Sequence, residues 1–369
     1  MSSICGEADG RVLLIERADG FELAVTTESA YATKVIPTAE ALAGPRAADH
    51  RAAVEKEMRG HLEKFKSFTL VPISAKPPGV RLIDMSLILA EKYGAFGDFI
   101  KAKARLVARG DQQRPGIDYG PFDATAPALR MSSLRMMCAI AAMTSRPLSS
   151  SDGEQAYLQA DLIDAVWARL PKPLRECDAN GEELVALLKK ACYGQAVSGQ
   201  RWSKEINGHL TKPRAQGGMG FTRCVADPCL YVRRDGDAWA IAGLATDGLI
   251  HLESSDAEHA DVLGALQAKY VWVDEGLVSD VPAVLGTKVK QDIAAGTVSL
   301  SQEGYIASLA EEYGAELPAR KPATPAAQDL EGRVREALDS KAEARDPALV
   351  RWYQRIVGAL IWASTCASM

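Results

Sequence analysis

A chain of 369 residues with 47% hydrophobic and 25% charged side chains has the balance of a folded globular protein, long enough for one large or two medium domains. A net charge of -5 excludes a global polycation, so any nucleic-acid contact must come from local basic patches. The longest strongly apolar run, Met136 to Met143, is far short of a bilayer span, and Met1 to Asp9 lacks the charged start and apolar core of a signal peptide. The expectation is a soluble intracellular protein, cytoplasmic or nuclear, with no membrane partner. The 7 cysteines are odd in number and scattered, which fits reduced thiols. Cys224 and Cys229, with His209 upstream, lack a further Cys/His pair to complete a zinc site and are assigned to buried packing.

In chain order, residues 1–35 offer a short apolar run, Val12 to Ile15, and no function. Residues 36–66 read as helical, opened by Pro37-Thr38 and rich in alanine, with charges clustered through Glu55-Lys-Glu-Met-Arg59. Residues 68–92 alternate around Pro77-Pro-Gly79 and suit a strand, a turn and a strand. Lys101 to Gln113 is a basic strand-like stretch and Met131 to Met143 a helix. Asp152 to Leu170 reads as a strand end running into a helix. A strand at Leu184 to Lys190 and an amphipathic helix at Arg201 to Leu210 flank a Tyr193-Gly194 turn. Hairpin strands follow at Leu230 to Arg234 and Trp239 to Leu252, then at Val284 to Lys290 and Thr297 to Leu300 across Ala295-Gly296. Residues 318–347 read as a linker with one exposed helix, and Ile356 to Ala363 as a final apolar helix with little sequence left to pack against.

Several of these segments could carry chemistry. Lys101-Ala-Lys-Ala-Arg-Leu-Val-Ala-Arg109 alternates cations with apolar residues, as does any half-buried strand with a solvated basic face. Asp152 at a strand end is compatible with an ordinary turn or cap, and Tyr157 with a core position. On composition and spacing alone, the chain is an α+β intracellular protein with one basic strand.

Order and spacing add more. Lys101 to Gly110 followed by Gln112 to Tyr119, the stretch Phe122 to Arg135, Asp152-Gly-Glu-Gln-Ala-Tyr157, Tyr193-Gly194, Trp202, Gly220 to Val232, Ala245-Thr-Asp-Gly248, Val284-Leu-Gly-Thr287, Leu300 to Ile306 and Tyr353 to Leu360 form one collinear series. That series resembles the reverse-transcriptase domain of copia-type retrotransposon polyproteins over roughly residues 37–366. The resemblance implies an α+β right-hand polymerase: fingers and a four-stranded antiparallel palm sheet packed on helices, with a partial thumb and connection. It divides the chain into an N-terminal extension (1–36), fingers, palm and start of the thumb (37–316), a linker (317–347) and a truncated connection helix (348–369), without a following ribonuclease H segment. It implies RNA-directed DNA polymerisation on an RNA or DNA template-primer with deoxynucleoside triphosphates, supported by two Mg²⁺ ions. Asp152 and Asp247 take the catalytic and metal-binding positions. Lys103, Arg105, Arg109, Gly153 and Tyr157 take nucleotide-binding positions, with Lys101 on the same cationic wall, and Tyr157 where the family screens out ribose 2′-hydroxyls.

The departures fall on working positions. The family's Tyr-Val-Asp-Asp turn is Ala245-Thr246-Asp247-Gly248, its Leu-Lys-Gln is Gln195-Ala196-Val197, and an Arg is replaced by Gln200. The expected protein is therefore a polymerase by ancestry, impaired or inactive. A nucleic-acid-binding relic without catalysis and a weakly active polymerase are the competing readings.

Overall fold

The computed structural model describes residues 32–93, 99–120, 122–313 and 347–367, together with the backbone of 4–8, 12–17 and 20–25. Strands β1 (Ile4–Ala8), β2 (Val12–Arg17) and β3 (Gly20–Val25) form an antiparallel sheet. β4 (Ala32–Ile36) leads into α1 (Thr38–Ala43) and α2 (Ala47–Arg59), which ends in a π-helical turn at Gly60–Lys64. β5 (Phe68–Pro72), β6 (Leu82–Tyr93) and β7 (Phe99–Ala108) follow, as the alternation predicts. Strand β6 is long enough to serve three partners. Its end pairs β4, most of its length pairs β7, and its start runs parallel to β9 (Asp161–Arg169). Strand β10 (Leu184–Lys190) then joins β9 to β5, completing a mixed six-stranded sheet. Its core is Phe65, Phe68, Ile83, Met85, Leu106, Leu158 and Leu188, all buried.

A second six-stranded sheet, antiparallel throughout, runs β11 (Thr222–Arg223), β12 (Leu230–Asp235), β13 (Ala238–Ala245), β14 (Gly248–Glu253), β8 (Leu148–Gly153), β15 (Trp272–Leu277). It has six strands rather than the four expected, because the short β11 extends one edge and β15 pairs along β8 on the other. α3 (Met131–Thr144), α4 (Ser198–Thr211) and α5 (Asp256–Lys269) belong to this part of the chain. Gly243 has no side chain because Leu129 Cδ2 and Met137 Sδ of α3 would lie 2.7 and 3.1 Å from its Cβ.

Asp227 ties this region together. Its buried carboxylate accepts from Ser133 Oγ at 2.6 Å and from the N–H groups of Arg130 and Cys229, each at 2.9 Å. Burial opposes the charge, but the three donors outweigh it and hold the carboxyl below its ordinary pKa. Asp227→Ala strands the Arg130 N–H and the Ser133 hydroxyl at the start of α3 and the Cys229 N–H just before β12. It is expected to lower unfolding free energy in urea by about 3 kcal/mol, as deletion of a charged acceptor does.

Several expectations are corrected. Asp152 to Leu170 holds no α-helix: after β8 a single 3₁₀ turn (Ala156–Gln159) leads into β9, where the β-branched and aromatic residues of Asp161–Arg169 pair antiparallel with β10. The strand expected at Val284 begins later, as β16 (Lys288–Asp292). Val284 and Thr287 instead bond each other, both at 2.9 Å, around left-handed Leu285 and Gly286. β16 forms a hairpin with β17 (Thr297–Ser301). Of the two cysteines assigned to buried packing, Cys229 is buried and Cys224 only half-buried. Cys138, Cys192 and Cys229 are buried free thiols, and burial pushes Cys192 and Cys229 up to about 12. His209 Nε2 lies 3.2 Å from the Ala265 carbonyl, on no thiol.

The chain divides into two compact units at Ser299/Leu300. In the second, α6 (Glu303–Tyr313) and α7 (Pro347–Ala367) meet through a Tyr305 hydroxyl bond to the Ala359 carbonyl and an Arg355–Glu312 ion pair at 2.6 Å. α7 is longer than the helix expected at Ile356 to Ala363, since Pro347 is tolerated in its first turn. Its Tyr353, Leu360 and Ile361 are exposed. The linker expected at 318–347 lies outside the described residues except for Pro347. Among the described residues no helix is long and apolar enough to cross a membrane.

Candidate functional site

Antiparallel pairing puts Asp152 directly opposite Gly248, the first residue of β14. The preceding pair, Ala245 with Gly248, closes a two-residue turn made of Thr246 and Asp247. Gly153 donates its N–H to the Asp247 carbonyl at 3.0 Å. The carboxylate-bearing residues Asp152 and Asp247, about a hundred positions apart in sequence, thus stand at adjoining strand ends. Both are partly exposed.

The turn itself is strained. Thr246 has φ +60°, a left-handed conformation that a β-branched residue adopts at a cost of roughly 1–3 kcal/mol. A buried partner secures it: Trp202 on α4 donates its indole N–H to the Thr246 carbonyl at 2.8 Å. Trp202 stacks on Trp272 with centroids 6.4 Å apart and meets Tyr270 edge-on at 5.3 Å. Trp202→Phe keeps the ring and loses the donor. The expected result is a stability loss of about 1–2 kcal/mol and faster hydrogen exchange at the Gly153 amide, read by NMR.

The basic strand reaches the same place. The Ala108 N–H donates to the Tyr193 carbonyl at 2.7 Å, and Gly110 to Gly194 at 3.0 Å. Gly194 has φ +82°, and a Cβ there would meet the Ala108 carbonyl oxygen at 2.2 Å, so this join requires glycine. Arg105 consequently lies over the Tyr193 ring, 5.1 Å from its centroid, and Tyr193 packs on Tyr157 at 5.3 Å. Burial opposes the Arg105 charge, yet Tyr193, Glu57 and Asp247 outweigh it and hold the guanidinium above its ordinary pKa. Of the predicted cations, Arg105 is the one held between the Tyr193 ring and Glu57.

The other predicted residues divide. Arg109 is held by Asp111 at 2.6 Å, within its own loop. Lys101 is exposed and Lys103 half-buried farther along β7. Tyr157 is 4% exposed on the 3₁₀ turn, so it can offer little more than an edge. Gly153 has a packing role: a Cβ would lie 2.9 Å from the Trp272 ring. Gln195 and Gln200, where the sequence departs from the family pattern, serve the local loops. The Gln195 side chain accepts from the Cys192 N–H at 2.8 Å, and Gln200 donates to the Phe122 carbonyl at 2.6 Å.

Sequence reading missed Glu57. Its neighbours Glu55, Lys56 and Arg59 make that part of α2 look solvated, but Glu57 is 4% exposed. It accepts from Arg105 at 3.3 Å, from the Leu106 N–H at 3.1 Å and from Gln155 Nε2 at 2.8 Å, with His61 Nε2 at 3.7 Å. Only the packing of α2 on β7 reveals it.

The site thus brings together Asp152 and Asp247 at adjoining strand ends, with Arg105 over the Tyr193 ring and Tyr193 tilted against Tyr157. A family model described as reverse transcriptase (RNA-dependent DNA polymerase) matches residues 65–325, and the chain belongs to that family, as a copia-type domain. It is 28% identical over 294 residues to the retrovirus-related Pol polyprotein from transposon RE2 of Arabidopsis thaliana, covering 80% of this chain and 18% of that protein. To the corresponding polyprotein from transposon TNT 1-94 of Nicotiana tabacum it is 24% identical over 89% of this chain and 23% of that protein. The RE1 polyprotein of Arabidopsis thaliana gives 27% over 80% of this chain. The chain thus spans about a fifth of the length of these relatives.

Proposed function

We propose that this chain is a right-hand polymerase domain, with fingers, palm and the start of a thumb, whose nucleotidyl-transfer site is impaired by the loss of one carboxylate. The observation that carries this reading is the register Asp152↔Gly248. A glycine faces the first catalytic aspartate where the family places the second aspartate of its turn.

In the reaction proposed, a primer 3′-hydroxyl attacks the α-phosphorus of a deoxynucleoside triphosphate and pyrophosphate leaves. Asp152 and Asp247 are hard oxygen donors of the kind Mg²⁺ requires, and they fit at least one such ion. When bound there, Mg²⁺ would acidify the hydroxyl and offset phosphate charge. Arg105, stacked on Tyr193 and held by Glu57, supplies cationic charge to the phosphates. Tyr193 forms the floor for the sugar, backed by the edge of the buried Tyr157. Lys101, Lys103 and Arg109 line the template-primer approach and act through general charge, weakened by salt.

Removing one carboxylate takes away a ligand and a full charge from the transition state. Single electrostatic groups of that kind account for a few kcal/mol, about a hundredfold in rate or more. The test is primer extension on a homopolymer template, in Mg²⁺ and in Mn²⁺, with Asp152→Asn as control. The reading expects extension to be feeble in Mg²⁺, and any that occurs to vanish in Asp152→Asn. Robust Mg²⁺-supported extension by the unaltered chain would refute the impairment, and Asp152-independent extension would refute the site.

A further inference from the structure

The other face of the same sheet carries an arrangement that the polymerase site does not use. On β14, His251 and Glu253 are two residues apart and share a face. His251 pairs with Ser149 and Gly248 with Asp152, so this face is opposite to the one that carries Asp152. Helix α5 brings a third residue. Ser255 caps the helix, accepting from the Glu258 N–H at 3.2 Å, and His259 follows in the next position. His251 Nδ1 lies 2.9 Å from Glu253 Oε1, and His259 Nδ1 lies 3.2 Å from Glu253 Oε2. The imidazoles stack with centroids 5.2 Å apart and planes inclined by 27°.

We propose that His251, Glu253 and His259 form a binding site for a divalent transition-metal ion of the zinc class. One ligand atom from each of the three lies within 4.8 Å of the other two, and among the described residues this is the one group of that kind. Tetrahedral zinc with bonds of about 2.0–2.2 Å to imidazole and carboxylate sets its ligand atoms roughly 3.3–3.6 Å apart, so the observed 2.9 and 3.2 Å need adjust by only a few tenths of an ångström. Two imidazoles select against Mg²⁺ and Ca²⁺, which take oxygen ligands. Burial supports the same conclusion. The side chains of His251 and Glu253 are 0% and 2% exposed, and His259 is 29% exposed, leaving an entry path. The Glu253 carboxylate is buried between the two imidazoles, where a bound cation would offset its charge. The ion would join β14 to α5, with a fourth position open to water.

The site differs from the proposed polymerase site in ligand chemistry and in sheet face, so its test does not involve nucleotide. The full chain is titrated with Co²⁺ and the visible spectrum recorded, then Zn²⁺ is added and the melting temperature measured. One equivalent of Co²⁺ should give visible d–d bands without near-ultraviolet thiolate charge transfer. Zn²⁺ should abolish those bands and raise the melting temperature. His259→Ala, at a partly exposed position, should keep its circular dichroism and weaken Co²⁺ binding at least about tenfold, and Glu253→Gln should do likewise. Absence of bands, bands with thiolate charge transfer, or bands unchanged in His259→Ala would each overturn the proposal.

Discussion

Gly248→Asp is expected to raise Mg²⁺-dependent primer extension by about a hundredfold, the scale of one well-placed transition-state charge. The backbone accepts a side chain there. Gly248 is not among the residues with left-handed φ, and a Cβ would lie 3.5 Å from the Ser151 carbonyl oxygen, 3.6 Å from Asp152 Oδ1 and 3.8 Å from the Ala245 carbonyl oxygen. These are ordinary contacts, and they direct the new carboxylate toward Asp152. Two like charges so close repel unless a cation lies between them. The variant should therefore melt below the unaltered chain in EDTA and recover more than it when Mg²⁺ is added. Adding Asp152→Asn to Gly248→Asp should abolish the gain. If extension stays flat while the Mg²⁺-dependent melting shift appears, the missing carboxylate does not limit the rate, and the losses at Ala196, Val197 and Gln200 must.

Glu57→Gln should lower unfolding free energy at neutral pH by about 2–3 kcal/mol, measured in urea. The figure lies below the usual cost of breaking a buried pair because the Arg105 side chain is 33% exposed and can rehydrate. Burial pushes the Glu57 carboxyl up, but the neighbouring His61 imidazole, the Arg105 charge and the Leu106 N–H bring it below its ordinary value. A carboxyl with a depressed folded pKa contributes stability that is fully present above its unfolded pKa, about 4.3, and lost as pH falls through the folded value. The difference between unaltered chain and variant should thus be constant above about pH 5 and shrink on acidification. A difference that grows toward low pH would reverse the assigned sign. Because Glu57 also holds Arg105, the Gly248→Asp, Glu57→Gln double variant should raise the KM for nucleotide more than it lowers kcat, if Arg105 mainly binds phosphate.

Strands and helices are legible in the amino-acid sequence wherever the periodicity is long. Leu82–Tyr93, Phe99–Ala108, Met131–Thr144 and the hairpin through Asp247 follow directly from alternation, helix spacing and turn chemistry. Collinear motifs also determined the family and marked Asp152, Asp247 and Arg105. The sequence failed where local signals are short or shared. Ala156–Gln159 is too brief to distinguish a 3₁₀ turn from a helix start, and Leu285-Gly286 is a turn hidden inside an apolar run. What the tertiary structure alone decided is which polar side chains face inward. Glu57 looks like one charge among many on α2 until β7 packs over it. His251, Glu253 and His259 look like isolated polar residues until the cap at Ser255 turns α5 back over β14. The pairing of Asp152 with Gly248 is likewise a register, set by hydrogen bonds between segments far apart in sequence, and no local pattern encodes it.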